Sequence, residues 1–224
     1  MKIFSHFYLI ASVSIFFTLL VICEQSFAAE SKNNSLSEDI LIQKALKAYD
    51  VKNYTEAFYL FQKATPHDNT GVSQELVGII DSKRNNYNSA IHSYKIALKK
   101  MQESGTLASI PETIDNLGIA YNHAGKHVNA FQCYKQAAKM GYSYAQYNLA
   151  NYYEVGFGVI QNDIKAYAWY SVAIAEGLSD KDQSTAEKIQ NELTKVLLSQ
   201  GSLSQAKNLA NHYYKLYVPH NSIQ

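Results

Sequence analysis

Residues 117–138 read LGIAYNHAGKHVNAFQCYKQAA, and their spacing decides the fold. Ala130, Tyr134 and Ala137 stand at offsets of four and seven, one and two turns of an α-helix, so a small–aromatic–small stripe runs down one helical face. Twelve residues before Ala130 stands Gly118, with Tyr121 just after it. Between the two anchors lies Gly125-Lys126-His127, a stretch that tolerates a helix stop. Two helices approach closely where a small residue on one faces a side chain on the other. The stretch therefore reads as a tight helical hairpin.

Working outward, the same stripe recurs. Ala57, Ala90, Ala130 and Ala166 are spaced 33, 40 and 36 residues apart. Each is followed at +4 by an aromatic (Phe61, Tyr94, Tyr134, Tyr170) and at +7 by Ala64, Ala97, Ala137 or Ala173. Ala45 and Gly78 precede their anchors by twelve residues, as Gly118 does. Lys52-Asn53-Tyr54 and Asn85-Asn86-Tyr87 fall where Gly125-Lys126-His127 falls. In the fourth unit the small residue is Ala150, sixteen before Ala166, and the added length coincides with Gly156-Phe157-Gly158-Val159, which predicts a longer loop. Extra length before the third unit is placed near Ser104-Gly105 and Ile110-Pro111, with Pro111 in the first turn of the next helix, where its missing N–H costs nothing.

The pattern resembles the tetratricopeptide repeat, a helix–turn–helix unit of about 34 residues. The fourth unit resembles its Sel-one-like variant, through Ala145, Leu149, Tyr153, Gly156, Gly158-Val159, Asp163, Lys165-Ala166, Trp169-Tyr170, Ala173 and Gly177. Leu203, Gln205-Ala206 and Leu209-Ala210 resemble the closing helix that follows such repeats. The resemblance covers residues 37–217 and implies an all-α, right-handed α-solenoid of about five helical hairpins. Its units are placed at about 37–66, 71–103, 106–140 and 143–177. A capping hairpin at 181–217 lacks the stripe, and a tail occupies 218–224. Units one and two depart from the family at Ala48 and Asp81, where a large apolar residue is usual; Tyr49 and Ile80 are the candidates to pack instead.

In the family, a partner is read by first-helix positions that point away from the second helix of each unit. Carried over, these are Ile42, Leu46 and Tyr49 in unit one, and Glu75, Ile79 and Ser82 in unit two. Units three and four contribute Asp115, Ile119 and Asn122, and Tyr147, Asn151 and Glu154. Such a lining implies a protein or peptide partner with apolar anchors and backbone hydrogen-bonding needs. The basic chaperone-tail clamp of some family members needs lysines that are missing here.

Composition points the same way. Twenty Lys+Arg against nineteen Asp+Glu leave a formal charge of +1, without the basic excess of a nucleic-acid binder. Eighteen Tyr and nine Phe suit helix packing or a contact surface better than a charged catalytic cleft. No catalytic constellation or cofactor motif is found: Gly156-Phe157-Gly158 lacks a third glycine and a Gly-Lys-Ser/Thr. His123 and His127 have the spacing of a helical metal pair, but Gly125 interrupts them and no third ligand is near in sequence, so they read as polar residues at a helix end. Cys133 reads as a small core hydrophobe.

The first residues read as an export signal. Lys2 precedes an apolar run from Phe7 to Cys23, and Ser26-Phe27-Ala28 before Ala29 has the small residues that signal peptidase needs. Cleavage is placed after Ala28, giving a signal at 1–28, a linker at 29–36 and a periplasmic or secreted mature chain. An uncleaved membrane anchor is the alternative, and nothing later in the sequence is apolar enough to span a bilayer.

Overall fold

The computed structural model of the protein describes residues 40–64, 66 and 68–218. The signal, the linker and most of the tail lie outside the described residues. Among the described residues all regular structure is helical: α1 (40–50), α2 (Tyr54–Ala64), α3 (Val72–Lys83), α4 (Tyr87–Ser104), α5 (Ile110–His123), α6 (His127–Lys139), α7 (Ser143–Val155), α8 (Asp163–Glu176), α9 (Asp180–Ser199) and α10 (Leu203–Tyr217). They fall into two compact units divided between Asp68 and Asn69.

The first unit is the α1–α2 hairpin. Ala45, Ala48, Ala57, Phe61 and Ala64 are buried, and the Tyr49 and Tyr54 rings meet across the turn at 5.6 Å. Tyr49 is half-buried. Asn53 caps α2, accepting a hydrogen bond from the Glu56 backbone N–H and donating one to the Glu56 carboxylate.

The second unit is a stack of hairpins α3–α4, α5–α6 and α7–α8, each pair packed along its length. α4 also packs on α5, and α6 on α7, which joins successive hairpins. A hairpin of this size cannot enclose a core alone, and stacking supplies the missing wall. Small residues set the spacing within each pair. A Cβ on Gly78 would lie 2.8 Å from Tyr94 Cε1, and one on Gly118 would lie 2.7 Å from Tyr134 Cε1. Ala90, Tyr94, Ala97, Ala130, Tyr134, Ala137, Ala150, Ala166, Tyr170 and Ala173 are buried, as are Tyr121 and Tyr153. Ile80 is fully buried, and Asp81 is kept inside by a hydrogen bond from the Ser89 hydroxyl.

Three turns share one backbone device. Lys52 (φ 59°), Asn85 (φ 62°) and Gly125 (φ 72°) take the left-handed conformation at the same place between paired helices. The extra residues before α5 are absorbed mainly as helix: α4 runs 18 residues to Ser104, because nothing before Gly105 breaks it. Its added turn buries Met101, whose sulfur lies 3.6 Å from the Thr113 hydroxyl. The longer α7–α8 loop folds back on α6, and Gly158 sits so close that a Cβ would lie 2.7 Å from the His127 carbonyl carbon.

α10 rests chiefly on α8 and has little contact with α9, which also lies against α8. Trp169 of α8 is the anchor: its ring stacks on Tyr213 at 4.5 Å and on Tyr217 at 5.4 Å. The two closing helices are therefore held by the last repeat more than by each other.

Candidate functional site: the first-helix face

The first helices of the second unit are α3, α5 and α7. Ile79, Ser82, Ile119, Asn122, Tyr147, Asn151 and Glu154 on them are half-buried, as are Ile42, Leu46 and Tyr49 in the first unit. Half-burial on a stack of helices is what a lining looks like when its outer side is uncovered. Two of the twelve residues assigned to it from sequence require correction.

Glu75 and Asp115 are buried, and their carboxylates tie first helices together. The Thr113 hydroxyl of α5 donates to Glu75 Oε1 at 2.6 Å, and Asn148 Nδ2 of α7 donates to Asp115 Oδ1 at 3.0 Å. A sequence offset gives the direction of a side chain but not the reach of the neighbouring helix, which covers both positions. Burial pushes the Asp115 carboxyl up from the usual carboxylate range to about 7, against the Asn148 hydrogen bond and with help from the Glu112 charge. Burial also raises Glu75.

Other lining residues spend polar atoms internally. Asn122 Oδ1 accepts from the Tyr152 hydroxyl at 2.6 Å and meets His127 Nδ1 at 3.2 Å. Glu154 accepts from the buried Tyr170 hydroxyl at 2.8 Å, and Ser82 Oγ lies 3.4 Å from the Tyr94 hydroxyl. His127 further stacks on Phe157 of the α7–α8 loop at 5.0 Å, and His123 on Tyr87 at 4.8 Å. These two histidines serve ring packing between successive turns. Among the described residues, no three His, Cys, Asp or Glu side chains converge to hold a metal ion.

Two tyrosines missed from sequence belong to the face or its margin. Tyr142, just before α7, is half-buried; burial raises its hydroxyl pKa, and the carboxylates of Glu112, Asp115 and Glu75 raise it further. Tyr152 is buried, which pushes its hydroxyl up to about 12, and it ties α7 to α5 through Asn122. Their signal was the unusual tyrosine count, but nothing in the spacing separates these rings from surface ones. Cys133 is partly buried, and burial with the nearby Asp115 charge pushes its thiol up to about 11, away from thiolate reactivity.

Two shallow clefts lie elsewhere. One is formed by Asn85–Ser89 with Ala124, the other by Leu198, Gly201, Leu203, Ser204, Lys207, Asn208 and Asn211; none of the twelve lining residues contributes to either. No helix among the described residues is long and apolar enough to cross a membrane.

Comparison with known proteins agrees with this geometry. The Sel1 repeat model matches residues 50–65, 126–142 and 143–178, the last of which spans α7, its glycine loop and α8. An exopolysaccharide production negative regulator of Rhizobium meliloti (strain 1021) is 30% identical over 80 residues, covering 36% of this chain and 30% of the relative. The chain thus spans under a third of that relative's length. A solved structure of a protective antigen present in uropathogenic Escherichia coli strains, displaying an SLR fold, superposes with a TM-score of 0.62 at 23% identity, over 81% of this chain and 38% of the antigen. A Sel1 repeat protein from Oxalobacter formigenes gives a TM-score of 0.43 at 25% identity, over 58% of this chain and 94% of its own. Sel1 repeats are generally scaffolds for protein interaction. Repeat matches, stripe and hairpin stack together show that this chain carries Sel1-like repeats of the tetratricopeptide type on an all-α hairpin stack.

Proposed function

We propose that the protein is a non-enzymatic, exported adaptor that holds a segment of a partner protein on its first-helix face. The observation that carries this reading is the mixed, half-buried lining of α5 and α7: Ile119 and Tyr147 offer apolar and aromatic area, and Asn151, whose side chain also meets the Tyr170 hydroxyl, keeps amide groups able to bond a peptide backbone. Kinship with a negative regulator supports a role exercised through another protein, since regulation by a scaffold needs a bound target. Export rests on the N-terminal sequence alone. A membrane-tethered envelope assembly or regulatory factor is the second reading, favoured if the apolar run Phe7–Cys23 is kept as an anchor. N-terminal sequencing of the exported protein separates the two, because a start at Ala29 removes the tether.

The binding face is tested by paired substitutions in the full chain. Ile119→Ala with Asn151→Ala is expected to reduce recovery of native partners at least about fivefold, with the melting midpoint held within a few degrees. Lys135→Ala with Lys139→Ala, on a second helix, is expected to leave recovery unchanged. Equal recovery from both variants would remove the face from the proposal.

A further inference from the structure

Charge in the second unit is divided between its first and second helices. α5 and α7 carry Glu112, Asp115 and Glu154 and no lysine or arginine, whereas α4 and α6 carry five lysines against a single glutamate. The near-zero net charge of the whole chain conceals this separation. Two tyrosine hydroxyls lie within reach of these acids. Tyr142 feels Glu112, Asp115 and Glu75, while Tyr147 feels Asp182 and Glu154. The ion pair of Lys99 with Glu103 lies within α4, whereas Glu154 on α7 meets the Tyr170 hydroxyl.

The buried Asp115 and Glu75 are held toward their protonated forms, so the negative field comes from Glu112, Glu154 and Asp182; beside apolar and aromatic surface it selects a cation that brings its own apolar stem. A metal ion fits poorly, since no ligand set of three side chains converges there. Nucleic acid and anionic lipid carry the wrong sign. We propose that the partner segment held on this face is basic, a lysine- or arginine-bearing peptide stretch laid across α5 and α7 with its cations at Glu112 and at the Glu154–Asp182 pair. This identification rests on the first-helix face being the binding surface. The basic segment supplies the counter-charge that α5 and α7 lack, and its stems cover Ile119 and the Tyr147 ring.

The test is selection of a random twelve-residue peptide display library on the immobilised full chain. It is repeated on a Glu112→Gln/Glu154→Gln/Asp182→Asn variant and, separately, on a Tyr147→Ala/Asn151→Ala variant. The three neutral amides keep the hydrogen-bond acceptors that Tyr170 and Ser179 use, and melting curves report whether each variant is folded. The expected result is enrichment of peptides with net charge of +2 or more, bound at least tenfold more weakly by the triple variant and more weakly still in 0.5 M salt. Neutral or acidic peptides, or basic ones that the triple variant binds as well as the wild type, overturn the charge assignment. If such peptides are lost from the Tyr147→Ala/Asn151→Ala variant, the face itself stands. If enrichment survives in that variant, or no peptide is enriched at all, the face is overturned with it.

Discussion

Gly118 sets how closely α5 and α6 approach, because the Tyr134 ring occupies the space a side chain would need. Gly118→Ala forces that fully enclosed ring to move, and overpacking of this kind costs roughly 1–3 kcal/mol. A thermal melt is expected to show a clear drop in midpoint, and an unchanged midpoint would contradict the pairing of Gly118 with Tyr134. Lys52 makes the opposite prediction. It holds φ 59°, a conformation that costs an ordinary residue about 1 kcal/mol and glycine far less. Lys52→Gly is therefore expected to stabilise the α1–α2 hairpin by a few tenths to about 1 kcal/mol, read as higher protection of its amides in hydrogen exchange. At this scale the sequence was readable where geometry is local. The turn residues at 52, 85 and 125 and the small residues at 78 and 118 could all be found by offset. Glu75 and Asp115 could not, since whether a carboxylate on a first helix faces solvent depends on how near the next first helix lies, and no spacing encodes that.

Between helices, the hydrogen bonds from Thr113 to Glu75 and from Asn148 to Asp115 bind α3 to α5 and α5 to α7 along the face. On the opposite side of the last repeat, Trp169 clamps α10 through two stacked tyrosines. Trp169→Ala removes a buried ring worth roughly 3–5 kcal/mol and is expected to release α10 preferentially. Hydrogen exchange should then show loss of protection over residues 203–217 well before α3–α6; uniform loss would mean that α10 is not a separate attachment. Helix existence and pairing were legible from the stripe, whose +4 and +7 offsets belong to the α-helix. The seat of α10 on α8 was not, because the closing helices lack the stripe and the single tryptophan gives no hint of which tyrosines it will meet. The extra length near Ser104-Gly105 was legible, but that its first part is helix was not: residues 99–104 form helix equally well or not until Met101 is given a core to enter.

For the whole molecule, the buried carboxylates predict an unusual pH response. Asp115 titrates in the fold at about 7 and in the unfolded chain near the usual value of 3.8, so the folded state holds a proton across that window that the unfolded state has released. The favourable contribution is fully present at acid pH, falls as pH rises through the window, and is lost above about 7. Glu75 acts in the same direction. Asp115 itself is governed by burial, with the Asn148 hydrogen bond opposing and the Glu112 charge assisting, and Lys95 acts on the neighbouring Cys133; burial outweighs the opposing contact, so the sign stands. The melting midpoint is expected to be higher at pH 5 than at pH 8, by an amount equivalent to on the order of 1–3 kcal/mol, and Asp115→Asn is expected to flatten most of that slope. A wild-type midpoint that rises toward pH 8 would contradict the buried-carboxylate account. The central claim, that stacked Sel1-like hairpins present their first helices to a partner protein, is tested most directly by mapping contacts in the native setting. A photo-reactive amino acid is placed at Asn151 on α7 or at Lys135 on α6 in the full chain and irradiated in the producing cell. The account predicts a discrete covalent adduct from position 151 and none from position 135; adducts from 135 alone, or equally from both, would contradict it.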